Sequence, residues 1–210
     1  MKLTIFGASG ATGTTLVQQA LAAGHEVTAV VRDPARLTIP ARQRLHVITA
    51  DVLDPAAISP AVDGADAVIS AVGPGTGAST LRQDSTRSII QAMQKTGTRR
   101  LLTVSGSVVT DEGESAFMRY LLKPLVRRTF LRHACADMRH AEHEIHDSNL
   151  DWTILRPPSL TNKAARGTYR TAIDRNLPRG FSISRADLAA YMLTLLNDPA
   201  TNGRHIAIAS

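Results

Sequence analysis

The chain has 210 residues, of which 43% are hydrophobic and 20% charged, with a net charge of +6, a single cysteine and only 4% aromatic residues. That balance suits one globular domain with a full core and excludes overall disorder and a disulfide scaffold. No apolar run reaches membrane-spanning length, and the first residues meet a glycine turn without a signal-peptide pattern, so a cytoplasmic protein with no membrane partner is expected.

Short apolar runs alternate with helical patterns. Residues 3–6, 27–31, 45–49, 67–71, 100–104 and 152–155 are nearly continuous in Val, Ile and Leu, the pattern of strands buried on both faces of a parallel sheet. Residues 12–23 place Leu16, Val17, Ala20 and Leu21 on one helical stripe and stop at Gly24. Residues 79–96 end on Lys95 before Gly97, a helix C-terminal signal. Residues 134–148 carry Met138, Ala141 and Ile145 at spacings of three and four, and Ser184 to Asp187 read as a capping box before Leu188, Met192, Leu195 and Leu196. A last strand at 205–209 is expected to close the sheet edge. The alternation predicts a single-domain α/β fold over residues 1–210, a doubly wound parallel sheet of the Rossmann type with helices on both faces. Residues 111–132 and 159–181 break the alternation. Long connections at the carboxyl end of such a sheet build substrate sites, so segments 105–135 and 156–181 are the expected walls.

Gly7, Gly10 and Gly13 lie between the first strand and the first helix, in the run Gly7, Ala8, Ser9, Gly10, Ala11, Thr12, Gly13. Glycine there permits a tight turn, backbone approach to a phosphate and close packing of helix on strand, while the helix N-terminus offers N–H groups to a pyrophosphate. After the second strand stands Arg32, with Arg36 one helical turn on. An acid at that point would repel a 2′-phosphate, whereas a guanidinium binds it, so NADP(H) is expected over NAD(H); the alternative is a solvated Arg32 with Asp33 on the ribose. Asp51 and Val52 follow the third strand, suited to the adenine amino group and ring face, or Asp51 is a helix cap. Ala71, Val72 and Gly73 follow the fourth, where small residues let backbone lie along ribose and nicotinamide.

GASGATG at 7–13, VVRDPARL at 30–37, ADV at 50–52, DAVISAVG at 66–73, LDWTILRPP at 150–158 and SISRADLA at 182–189 occur in that order. Together they resemble the atypical short-chain dehydrogenase/reductases of the NAD(P)H-binding, NmrA-like group, in its biliverdin reductase B or flavin reductase branch. The resemblance implies NADP(H), with pyrophosphate at 7–13, 2′-phosphate at Arg32, adenine at Asp51 and Val52, and nicotinamide near Val72, Gly73, Ser105, Pro157, Pro158 and Ser159. It implies hydride transfer to flavins, biliverdins or quinone-like acceptors.

The chain departs from the wider group. None of Tyr120, Tyr169 and Tyr191 has a Lys four residues on, Gly106 stands where the usual Ser falls, and Ser159 replaces the His of the branch. Without that proton donor a simple carbonyl is a handicapped acceptor, whereas flavins and quinones spread the charge of an incoming hydride and take a proton from solvent. Ser105, Ser107 and Ser159 are candidate groups on nicotinamide or substrate, with loop hydroxyls as the alternative. Asp137, an acid matched in the relatives, is a candidate for the substrate mouth. His140, His143 and His146 lack metal-ligand spacing, so no metal is expected.

From Arg119 to His140 six basic residues face one acid. Residues 117–132 are either a lid attracting an anionic acceptor, an amphipathic surface helix or a subunit contact. Few aromatics are present for base stacking, so no nucleic-acid partner is expected. Cys135 reads as a small buried residue. The reading is an NADPH-dependent reductase, monomer or homodimer, acting on a flavin, quinone or similar conjugated small molecule. The rivals are a non-catalytic NADP(H)-sensing regulator and an NADP-dependent biosynthetic enzyme acting on a polycyclic carbonyl compound.

Overall fold

The computed structural model describes residues 1–74, 79–109 and 132–210. Six parallel strands form where the apolar runs predict them, within one residue: β1 (Lys2–Phe6), β2 (Glu26–Val31), β3 (Leu45–Thr49), β4 (Ala67–Ser70), β5 (Arg100–Val104) and β6 (Asp151–Arg156). Between them run α1 (Ala11–Ala22), α2 (Pro55–Val62), α3 (Leu81–Thr96) and α4 (Arg132–His146). Asp54 starts α2 by accepting the N–H groups of Ala56 and Ala57, and Gly97 stops α3 in the left-handed conformation.

The remaining chain supplies β7 (Ser159–Thr161), β8 (Arg170–Ile173), β9 (Ser182–Ser184), α5 (Arg185–Thr194) and β10 (Arg204–Ala209). The main sheet runs β3-β2-β1-β4-β5-β6-β10-β8, and β7 pairs with β9 in a separate two-stranded parallel sheet. This corrects the expectation for the last strand. β10 lies inside the sheet, parallel to β6, and the edge is β8, antiparallel to it. The sequence Arg-Thr-Ala-Ile of β8 is too short and polar to register as an apolar run; backbone pairing to β10 holds it.

Side chains alternate between the two sheet faces, as the pleat requires. Leu3 and Ile5 pack with Leu16, Val17 and Ala20 of α1 and Leu188 and Met192 of α5. Phe6, Val30, Val68 and Leu101 pack on the other face with Ile58 of α2, Ile89 and Met93 of α3 and Ile145 of α4. Cys135 is buried. Arg100, at the start of β5, is tied to the Asp151 and Leu195 carbonyls and the Thr153 and Thr201 hydroxyls at 2.7–3.1 Å, joining three segments of the distal half. Among the described residues, no helix is long and apolar enough to cross a membrane.

Candidate active site

The strand order reverses direction between β1 and β4, so the connections leaving them diverge and open a crevice at their carboxyl ends. A cleft of about 200 Å³ lies there, lined by Gly7, Ser9, Gly10, Arg32, Arg36, Val52, Ala71, Val72 and Gly73 among the residues singled out in the sequence. Val30, Val31, Ala50, Pro74 and Leu81 complete it. Ala11, Thr12 and Gly13 sit just behind, in the first turn of α1.

The turn has the form a dinucleotide needs. Gly7 is left-handed (φ 72°), and a Cβ on it would stand 2.6 Å from the Ala71 carbonyl oxygen. A Cβ on Gly13 would stand 2.0 Å from the Gly7 carbonyl oxygen, so the helix touches the turn backbone to backbone. Gly10 is the N-cap of α1, with no side-chain cap and no acid in the first turn, which leaves the amide donors and the positive end of the helix to a bound anion.

At the other end of the cleft, Arg32 and Arg36 are exposed and form no ion pair among the described residues. Asp33 accepts the Ala35 N–H at 3.0 Å and caps the short turn Pro34–Arg36. Asp51 is exposed beside Val52; its carboxylate accepts the Leu53 N–H at 3.0 Å, and Asp54, not Asp51, caps α2.

The four candidate catalytic residues do not share one described cavity. Ser105, held by its N–H on the Leu155 carbonyl at 2.8 Å, lines a small recess beyond Val72 together with Arg82 and Glu142. Among the described residues, the buried Ser105 hydroxyl has no hydrogen-bond partner. Ser107 donates its N–H to the Pro157 carbonyl at 3.0 Å and lines a different recess with Pro158 and Arg156. Ser159 is exposed at the start of β7, and Pro157 is buried. Asp137 is only 3% exposed; its two carboxylate oxygens accept the N–H groups of Arg82 (3.2 Å) and Gln83 (3.0 Å). It caps α3 from the neighbouring helix, a long-range contact that spacing along α4 cannot reveal.

The histidines of α4 go separate ways. His143 pairs with Asp147 at 3.0 Å, and His146 meets His205 across β10, Nε2 to Nε2 at 3.0 Å, beside Trp152. Glu142 forms a buried ion pair with Arg156 at 2.5 Å. Among the described residues, no group of three or more His, Cys, Asp or Glu side chains is arranged to hold a metal. The capping box at Ser184 is rearranged. Ser184 accepts the Asp187 N–H at 2.9 Å, but the buried Asp187 carboxylate accepts from the Arg166 and Gly167 N–H groups and the Ser184 hydroxyl, pinning the segment before β8. Residues 110–131, including most of the basic stretch, and Gly75 lie outside the described residues.

Arg82 escaped the sequence reading, because a charged residue in the first turn of a helix reads as solvated. Here it is half-buried, and its Nε donates to the Val72 carbonyl at 3.4 Å. Burial pushes the guanidinium below its ordinary value, with Asp137 opposing.

Residues 7–199 match the NAD(P)H-binding family. An uncharacterized protein of Bacillus subtilis, YwnB, is 28% identical over all of this chain and 99% of its own length. ChuY, an anaerobillin reductase from Escherichia coli O157:H7, is 27% identical with a TM-score of 0.80, over 100% of this chain and 97% of that one. A short-chain dehydrogenase/reductase from Veillonella parvula, solved in complex with NADP, shares the fold at TM-score 0.82 and 20% identity, over 100% of this chain and 94% of that one. The chain therefore belongs to the NAD(P)H-binding family, among the oxidoreductase-like Rossmann proteins of the atypical short-chain dehydrogenase/reductase group that its motifs resemble.

Proposed function

We propose that this protein is an NADPH-dependent reductase that passes a hydride from the nicotinamide to a conjugated acceptor, a flavin, a quinone or a relative of these. The observation that carries the cofactor half is the pair of guanidinium groups, Arg32 and Arg36, in no ion pair among the described residues, on the wall of the cleft that starts at the glycine turn. A 2′-phosphate would compensate both charges. Bound NADPH supplies the hydride. The chain's own residues orient it: Gly7 to Gly13 for the pyrophosphate, Val52 and Asp51 toward adenine, and Ala71, Val72, Gly73 and Ser105 toward nicotinamide. Pro157, Pro158 and Ser159 are proposed to face the nicotinamide, and the described parts of segments 105–135 and 156–181 to wall the substrate.

The acceptor half rests on the missing Tyr–Lys pair. A protein without that donor still accelerates reduction of acceptors that need only alignment with the hydride. The family neighbour ChuY, an anaerobillin reductase, supports a conjugated acceptor. One observation favours the rival biosynthetic reading, an NADP-dependent enzyme on a polycyclic carbonyl compound: the recess beyond Val72 is small and rich in hydroxyl side chains.

The test is NADPH oxidation with FMN, menadione or a polycyclic ketone as acceptor, beside Arg32→Asp. Oxidation with FMN or menadione is expected. Binding of NADPH without any oxidation would support a sensor instead. Arg32→Asp is expected to weaken NADPH by about 1.5–3 kcal/mol, the worth of a hydrogen bond to a charged group, and to leave NADH nearly unchanged. An unaltered preference would place the phosphate elsewhere.

A further inference from the structure

Among the described residues Arg82 is a cation in no ion pair, with the Asp137 charge nearby. Its carboxylate neighbours are committed: Asp137 to two backbone N–H groups, Glu142 to Arg156. Among the described residues the guanidinium makes one hydrogen bond, from Nε to the Val72 carbonyl, and no ion pair. Val72 is the wall shared by the large cleft and the recess that Arg82 lines. The same recess holds the buried hydroxyl of Ser105, which has no hydrogen-bond partner among the described residues. The free space is about that of one water molecule, which is also the space of one oxygen atom of a ligand. A partly desolvated charge and an orphaned hydroxyl facing one hole are both costly unless something fills it.

We propose that Arg82, with Ser105, receives the oxygen of the acceptor on which negative charge develops during hydride transfer. The proposal rests on the reductase reading and narrows the acceptor to a conjugated carbonyl of the quinone type. Two electrons and a hydrogen move together: a C–H bond breaks on the dihydronicotinamide, a C–H bond forms on the acceptor ring, and the displaced electron pair collects on the acceptor's oxygen. Water then protonates that oxygen. Arg82 is a catalytic residue in this scheme because it touches the atom whose charge changes, and it supplies the electrostatic help that a Tyr–Lys pair gives elsewhere.

The experiment compares wild type, Arg82→Gln and Arg82→Lys in three measurements. These are NADPH affinity by nicotinamide fluorescence, turnover of the neutral quinone menadione, and binding of benzoate to the NADP-loaded protein by calorimetry. Benzoate stands in for the anionic oxygen. Arg82→Gln is expected to keep NADPH affinity within about two-fold, to lower kcat with menadione by about 10²-fold with little change in KM, and to abolish benzoate binding. Arg82→Lys is expected to recover part of both losses. Parallel loss of NADPH affinity and rate would assign Arg82 to the cofactor and overturn the proposal. So would a rise in KM for menadione with kcat unchanged, which would mark uniform binding and not help to the developing charge. Absence of saturable benzoate binding to wild type overturns it as well, even in an active reductase. Benzoate binding that needs Arg82, in a protein that binds NADPH but reduces nothing, would uphold the anion site and defeat the reductase reading alone.

Discussion

The contact between Gly13 and Gly7 is the tightest in the cofactor turn. A methyl group at Gly13 would meet a backbone oxygen at 2.0 Å, and backbone cannot swing aside as a long side chain can. At Gly10 the same group would meet the Gly7 oxygen at 3.2 Å, a clash that a few tenths of an ångström relieve. Gly13→Ala is therefore expected to cost about 1–3 kcal/mol of stability and most NADPH affinity, and Gly10→Ala much less of either. Thermal melts and NADPH titration of the two variants check the order; equal effects would show that the turn is not set by this contact. The spacing of the three glycines was readable in the sequence because a strand precedes them and a helix follows. Which glycine bears the contact was not, since it depends on how closely α1 approaches β1. Arg32 was readable for the same reason as the turn. Arg82 was not, because its burial comes from α4 packing across it.

At the scale of elements, Asp137 joins α4 to α3. Two amides at the start of α3 have no partner within their own helix, and Thr80 supplies no side-chain cap, so the carboxylate from α4 satisfies them. Asp137→Ala is expected to lower stability by about 0.5–2 kcal/mol, the range for loss of a helix cap, while NADPH affinity stays unchanged. Denaturant melts beside cofactor titration test this; a loss of turnover with full stability would return Asp137 to the substrate mouth. The elements legible in the sequence were those whose own residues decide them, as with the apolar runs of β1, β2 and β5 or the stripe of α1 that stops at Gly24. β7, β8 and β9 were not legible. Each has three or four residues, and each is a strand only because another segment pairs with it.

Across the whole molecule, apolar layers cover both faces of the sheet, Ile154, Leu155, Ile206 and Ile208 of the distal strands included, and the distal end adds polar contacts. Around β6 and β10 a polar cluster runs from the interior to the surface: Glu142 and Arg156 inside, His205 partly buried, and Asp174 and His146 open to solvent, against Trp152. Long-range pairing brings these residues together, which is why the His spacing along α4 said nothing of it. The cluster sets a pH dependence. Burial first, then the Arg156 guanidinium, lowers the His205 pKa from 6.5 to about 4, with Glu142 and Asp174 opposing and His146 adding to the fall; burial lowers His146 as well. The unfolded chain, with His205 near 6.5, binds the proton more readily than the folded one, so stability is complete above pH 6.5, falls as pH drops toward 4, and loses nothing further from His205 below that. For His205 the loss amounts to at most about 3 kcal/mol. Asp174 and Asp187, whose hydrogen bonds outweigh burial and hold their pKa values below the ordinary value, lose their contribution only at still lower pH, so the two windows separate. Urea melts at pH 7, 5.5 and 4.5 are expected to show a steady decline that His205→Gln flattens. A wild-type midpoint constant over that range, or a decline equally steep in the variant, would mean that the proton enters elsewhere.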